Sequence, residues 1–170
     1  MKKPRVSAIA AIAEKSRALG KDKRLLWSIS EDQKRFRRIT LNHPIIMGRG
    51  TFEHIMLTVG RAFKDRTNIV VSHDSKLEMP SGFNLVSSFE KAVEFAKKFP
   101  GGNEEAFIIG GGKLWTDQLS RIDRRYLTII QDEKPADAFF PDYSEFKTVI
   151  DKSEVMEDGG IKYYYLTLER

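Results

Sequence analysis

A chain of 170 residues, 41% hydrophobic and 31% charged, is long enough to bury a core and too apolar to remain disordered. It has no cysteine, which excludes disulfides, thiolate metal sites and cysteine nucleophiles; the three histidines, His43, His54 and His73, match no metal-ligand spacing, so no metal is expected. The net charge of +5 is concentrated early, in Lys2, Lys3, Arg5, Lys21, Lys23, Arg24, Lys34, Arg35, Arg37 and Arg38. Its plainest reading is a solvated basic face; nucleic acid and a small polyanionic ligand are the sharper readings, and charge does not separate those two. No apolar run reaches the length of a membrane span. There is no repeat, low-complexity stretch or linker, so residues 1–170 are expected to form one domain, and the lack of cysteine is compatible with the cytoplasm.

Residues 6–12 (VSAIAAI) read as a strand buried on both faces rather than as a signal peptide. Residues 14–24 read as a loop. Ser30-Glu31-Asp32-Gln33 is a capping box with Ser30 as the N-cap, opening a helix to about residue 41 with Phe36 and Ile39 facing inward. Residues 44–48 form a short apolar strand and 51–57 a helical turn or two. Residues 67–72 and 83–86 are strands. Residues 88–98 are helical, with Phe89, Ala92, Val93 and Ala96 on one stripe. A buried strand at 106–109 runs into Gly110-Gly111-Gly112, and a helix follows from 113 to about 119. Residues 126–131 are a strand. The end is a hairpin, 146–153 and 161–168, turning near Asp158-Gly159-Gly160. This order implies an α/β fold: a mostly parallel central sheet with helices on both faces and a C-terminal antiparallel hairpin. Ligands of such sheets sit outside the carboxyl ends of the strands.

Two glycine-bearing turns follow buried strands, Gly48-Arg49-Gly50-Thr51 and Gly110-Gly111-Gly112. Their backbone N–H groups could cradle phosphate, with Arg49 as a partner, although the common dinucleotide fingerprint is absent and each alone is more often a tight turn. Asp32 lies in the first turn of its helix, four residues before Phe36 and on the same face. An acid there is favoured by the helix dipole. Beside an aromatic ring it would also suit a flat heterocycle with an amidine-like edge.

Taken in order, the chain resembles the dihydrofolate reductases over nearly its whole length. The resemblance is carried by Ile9-Ala10-Ala11-Ile12-Ala13, Leu19-Gly20, Trp27, Glu31-Asp32, Phe36, residues 40–52 (TLNHPIIMGRGTF), residues 66–72 (RTNIVVS), residues 108–112 (IIGGG), Tyr126-Leu127-Thr128 and Phe140-Pro141-Asp142-Tyr143. It implies an NADPH-dependent enzyme that reduces dihydrofolate to tetrahydrofolate for one-carbon metabolism. It also implies a monomer that antifolates inhibit and that needs neither nucleic acid nor membrane. By resemblance, Asp32 is the carboxylate that binds the pterin, supported by Thr128 through water, and Trp27 holds a water near it. Ile9, Ala10, Gln33, Phe36, Ile55 and Ile109 line the substrate pocket. Arg66 pairs with the glutamate α-carboxylate, a use that suits arginine better than lysine. Ala11 and Leu19 present backbone groups to the nicotinamide. Gly48, Arg49, Gly50, Thr51, Ser72 and His73 hold the phosphates, and Ile109, Gly110, Gly111, Gly112, Lys113, Leu114 and Trp115 close over the cofactor. The family carries a cis peptide bond between the two residues that are here Gly110 and Gly111.

Three departures stand out. Leu26 replaces the usual proline before Trp27, in a loop that is one residue longer than in the commonest bacterial members. Gln33 stands where an apolar residue is usual and points toward the pocket. Trp115 replaces a tyrosine near the nicotinamide and keeps only an N–H donor. Two rivals remain: a related reductase of the riboflavin pathway, and a non-catalytic nucleic-acid-binding module. The first leaves the set Asp32, Phe36 and Arg66 unexplained; the second leaves Asp32, Arg66 and both glycine turns without a role.

Overall fold

The computed structural model describes residues 3–170. Its parallel strands are β1 (Arg5–Ala13), β4 (Pro44–Gly48), β5 (Thr67–Val71), β6 (Phe83–Val86), β7 (Glu105–Gly110) and β8 (Arg124–Ile130). Antiparallel strands β10 (Thr148–Lys152), β11 (Met156–Asp158) and β12 (Ile161–Glu169) close one edge. The sheet runs β10-β12-β8-β1-β7-β4-β5-β6, with β11 paired to β12. Between the strands lie α1 (Ser30–Thr40), α2 (Arg49–Thr58), α3 (Phe89–Ala96) and α4 (Gly112–Asp117).

Alternation along the strands divides one apolar run between two layers. Ile45, Met47, Val70 and Phe107 point to one face, where Phe52 and Ile55 of α2 pack with Phe36 and Ile39 of α1. Ile46, Ile69 and Ile108 point to the other, where Phe89, Ala92 and Ala96 of α3 meet Trp115 of α4. The periodic stripe of α3 is thus its buried face, and Ser88 caps the helix by accepting the Lys91 N–H.

Three local expectations change. Ser30 does not cap α1: the N-cap is Ile29, whose carbonyl accepts the Gln33 N–H, and the Gln33 side chain donates to Ser28 Oγ at 3.1 Å. The Ser30 N–H is taken from outside the helix, by Asp158 at 3.2 Å, so the box is not needed to satisfy it. Residues 14–24 are not simply a loop. They hold β2 (Ala18–Lys21) and the start of β3 (Arg24–Leu25), paired into a small separate sheet with β9 (Ala138–Phe139). That pairing joins segments more than a hundred residues apart, where no local pattern signals it. The last hairpin is also split: β11 and β12 turn through Gly159 and Gly160, both at positive φ (57° and 81°), while β10 pairs separately farther along β12. Helix α4 ends at Asp117, followed by a short 3-10 turn at Leu119–Arg121.

One side chain is at odds with its surroundings. Arg125 on β8 is fully buried, and its Nε, Nη1 and Nη2 have no hydrogen-bond partner. Its guanidinium lies 3.3 Å from the ring centroid of Phe146 and 5.7 Å from that of Phe140. Cation–π contact offsets part of the lost hydration. Burial, helped by the neighbouring Arg170, still pushes the group down to about 10. Arg125→Met, which fills the same space without a charge, should stabilise the fold by about 1–3 kcal/mol, the usual penalty of an unsatisfied buried polar group. Arg125→Lys should give no such gain. Thermal unfolding of both variants at neutral pH checks this.

Candidate active site

The cleft begins where the sheet opens. β1 pairs with β7 only from Arg5 to Ala8, yet pairs with β8 as far as Ala13. On the β7 side Ile109 is the extra residue of a bulge, since β4 registers Ile46 with Ile108 and Met47 with Gly110. Ile9, Ala10 and Ala11 therefore flank Ile109 and Gly110 across a gap in the ladder. Ala10, Ala11 and Ile109 are only half-buried, although the residues just before them in each strand are buried.

Asp32 sits over one side of this gap. The first turn of α1 carries it against β8, where the Thr128 hydroxyl donates directly to its carboxylate. The expected water between the two is not needed, because Thr128 is already in contact. Burial raises the Asp32 carboxyl above the ordinary aspartate range; the Thr128 hydrogen bond and the nearby Arg35 guanidinium pull the other way. A half-buried carboxylate at the edge of a cleft is a group poised to bind a hydrogen-bonding or cationic edge.

From Asp32 one face of α1 leads along the cleft. Phe36 follows by four residues and packs on Phe63 at 5.6 Å between ring centroids. Thr40 follows by four more; its hydroxyl donates to the Phe36 carbonyl and accepts from Arg66 Nη1 at 3.4 Å. The eight-residue step from Asp32 to Thr40 spans about 12 Å of helix. A carboxylate and a guanidinium thus stand at opposite ends of an aromatic strip. Arg66 is half-buried and its Nε has no partner; burial first, then the charge of Arg37, lowers its proton affinity. Such an arginine has donors to spare for a carboxylate.

The two glycine turns meet on the other side of the gap, because β4 and β7 are neighbours. A Cβ at Gly48 would lie 3.8 Å from Gly111 N, and one at Gly110 (φ 143°) would meet Thr51 Oγ1 at 2.7 Å. The peptide bond between Gly110 and Gly111 is cis. Gly48 is the N-cap of α2 and offers no side-chain cap, so the first N–H groups of that helix, from Gly50 and Thr51, are open to an anion. Arg49 reaches out from this turn, where its Nε donates to Glu53 at 2.9 Å and its Nη1 to Asp74 at 3.1 Å. Beyond it, Ser72, His73, Ser75, Leu85, Val86, Ser87 and Lys91 line a groove of about 340 Å³ at the ends of β5 and β6.

Several expected residues have other work. The Trp27 indole N–H donates to Asp132 at 3.0 Å, so that donor is occupied by protein. Trp115 is buried: its N–H donates to the Ile108 carbonyl at 3.0 Å and its ring packs on Phe140. It faces the core beneath the glycine turn. Gln33 is exposed and tied back to Ser28. The Leu19 carbonyl accepts the Leu26 N–H at 3.4 Å. Lys113 is exposed and paired with Asp117, Leu114 is half-buried against the core, and Ile55 is buried in the layer under Phe36. Sequence reasoning missed Arg35, Tyr165, Glu53, Asp74 and most of the groove. The acid two residues after Ser72 was the one local signal, since Asp74 turns back to accept the Lys76 N–H.

The sequence model of the family described as dihydrofolate reductase matches residues 5–170. The chain is 38% identical over 138 residues to dihydrofolate reductase type 3 of Salmonella typhimurium, covering 81% of this chain and 79% of that protein. It is 42% identical over 123 residues to the dihydrofolate reductase of Haemophilus influenzae, covering 72% and 71%. Among solved structures it superposes with a TM-score of 0.84, at 25% identity, on a dihydrofolate reductase from Enterococcus faecalis complexed with NADP(H) and RAB-propyl, over 98% of this chain and 96% of that one. The chain belongs to the dihydrofolate reductase family.

Proposed function

We propose that dihydrofolate lies along α1, with its pterin on Asp32 and its glutamate tail toward Arg66, and that NADPH crosses the gap onto the two glycine turns. The chain is an NADPH-dependent oxidoreductase that converts dihydrofolate to tetrahydrofolate. One observation carries the placement of substrate: the half-buried Asp32 carboxylate and the half-buried Arg66 guanidinium, whose Nε has no partner, stand at the two ends of one face of α1, with Phe36 between them. A pterin with a carboxylate tail matches that strip in order and in polarity.

Within this reading, Asp32 accepts from the pterin N3–H and 2-amino group, and Thr128 fixes the carboxylate plane. Ile9, Ala10, Phe36 and Ile109 exclude water from the ring. Gly48, Gly50, Thr51 and Gly110 to Gly112 leave room for a cofactor backbone, and Arg49 with Ser72 and His73 is the anion-binding end. Bound there, NADPH supplies hydride from C4 of its nicotinamide to C6 of the pterin. Asp32 stands at the far edge of the ring from N5, so water delivers that proton while the ionised carboxylate favours the protonated ring. Diaminopyrimidine antifolates, whose protonated edge is an amidine, are matched by the same carboxylate. All these residues belong to one chain, which we read as a single-domain monomer working in the cytoplasm; among the described residues no helix is long and apolar enough to cross a membrane.

Oxidation of NADPH on mixing with dihydrofolate, followed by its near-ultraviolet absorbance, tests the activity directly. Asp32→Asn should slow hydride transfer at neutral pH, leave NADPH binding nearly intact, and recover partly in acid, where the substrate arrives protonated. The same variant should be more stable than wild type at neutral pH. Burial raises the folded carboxyl above its unfolded value, so wild-type stability falls as pH rises from the ordinary aspartate range through the raised one. The stabilisation should vanish below that range, as thermal melts across pH will show. Arg66→Leu should raise the KM for dihydrofolate roughly 10- to 100-fold, as for a lost charge-assisted pair, and change little for a pterin without the glutamate. Arg49→Ala should weaken NADPH binding roughly 10- to 100-fold and NADH far less. Asp74→Asn should do the reverse, tightening NADPH by about 0.2–1 kcal/mol, because Asp74 competes for the same guanidinium at an exposed site. Equilibrium titrations with the two cofactors decide both.

A further inference from the structure

The half-buried Asp32 carboxylate is not the only charge set into its end of the cleft. Arg35 lies one turn farther along α1 and is 8% exposed. Its guanidinium carbon is 4.1 Å from the ring centroid of Tyr165, a stacking distance. Tyr165 on β12 stands in register with Thr128 on β8, and the Thr128 hydroxyl holds Asp32. Four side chains from α1, β8 and β12 therefore close into one unit: Asp32, Thr128, Tyr165 and Arg35. Among the described residues no carboxylate comes within ion-pair distance of Arg35. A guanidinium does not shed its charge, so a buried positive charge stands permanently beside the half-buried carboxylate.

We propose that Arg35 is a positioning residue that acts through Asp32: its stacked, buried cation keeps the Asp32–Thr128 unit ionised and sets the pH range in which the bound pterin is protonated. The proposal rests on the reading of Asp32 as the pterin carboxylate.

The other charged groups do not supply this effect. Tyr165, pushed up to about 12 by burial first, stays neutral through the working range, and burial also raises Tyr163. Glu31 and Asp158 act on Tyr163 and would oppose ionisation of a neighbouring acid. Asp151 on β10 and Arg38 on α1 act on Arg35 with opposite signs. Of the charges that bear on Asp32, Arg35 is the one that favours its anion, alongside the Thr128 hydrogen bond. Stacking on Tyr165 explains the geometry: the aromatic face holds the cation without a hydrogen-bonding acceptor that would neutralise it.

Removing this charge shifts two groups in one direction. The Asp32 carboxyl loses a stabilising cation and titrates at higher pH. The pterin N5, facing a carboxylate no longer partly neutralised, also holds its proton to higher pH. The experiment is single-turnover hydride transfer against pH with saturating NADPH and dihydrofolate, for wild type, Arg35→Met, Arg35→Gln and Arg35→Lys, with thermal melts of each and Asp32→Asn as reference. The proposal expects the midpoint of the alkaline fall in rate to move up by on the order of one pH unit in both neutral variants and to stay near wild type in Arg35→Lys. A wild-type midpoint in whichever of the two neutral variants folds overturns the proposal, whatever the melting temperature does, because a packing role moves stability and not the titration. An equal shift in Arg35→Lys also overturns it, since charge would then not be the agent. A wild-type profile in Asp32→Asn would remove the reading of Asp32 itself, which separates that failure from failure of the Arg35 proposal.

Discussion

The structure is organised around a carboxylate that water would rather keep. Asp32 stands in the first turn of α1, where a helix dipole favours an acid, but partial burial opposes its charge. Three elements are recruited to hold it. β8 brings the Thr128 hydroxyl, α1 brings Arg35, and β12 brings the Tyr165 face on which Arg35 stacks. The antiparallel edge of the sheet is thus more than a cover for the core: without β12 the counter-charge would have nothing to lie on. Buried polar groups that satisfy one another only partly are sites of stored binding capacity, and here the deficit is aimed into the cleft.

The cleft itself follows from strand pairing. A parallel sheet that kept β1 and β7 bonded along their whole length would close over Ala10 and Ala11, which are now half-buried. The ladder stops after Ala8, and the Ile109 bulge turns β7 away just before the glycine turn. The same step sets Gly110 against Thr51 and Gly111 beside Gly48, so the two turns form one surface from two crossovers. Glycine is required at Gly110 because a Cβ would strike Thr51 and because the backbone is at positive φ. At the outer end Arg49 pairs with Glu53 and Asp74, so on the proposed reading a cofactor phosphate would compete with those carboxylates for it. Both pairs are exposed, which keeps that exchange shallow.

Much of this was legible in the amino-acid order. Continuous apolar runs ending in Gly48 and Gly110 placed the parallel strands and the turns after them, because a strand buried on both faces needs no alternation and a glycine turn needs no partner to be recognised. The stripe of α3, the hairpin turn at Gly159-Gly160, and the shared face of Asp32 and Phe36 are properties of near neighbours in the chain, and sequence states them directly. The resemblance carried by residues 40–52 and 108–112 reached further still, to the family and its chemistry.

What the sequence could not decide were the contacts that join distant segments. Whether Ser30 and Gln33 closed a capping box depended on the Gln33 N–H going to the Ile29 carbonyl and on Asp158 reaching the Ser30 N–H from the last hairpin. Whether Trp27 and Trp115 kept free donors depended on Asp132 and on the Ile108 carbonyl. That β2 and β9 would pair, that Arg49 would be held by Asp74, and that Arg35 would be buried on Tyr165 rather than solvated among the surface arginines are all matters of which elements meet in space. Sequence alone determined the periodicities and turns, because these are set by backbone sterics and nearest neighbours. Only the tertiary structure decided the burial and hydrogen-bond partners of the site, because these depend on what every other element places within a few ångströms.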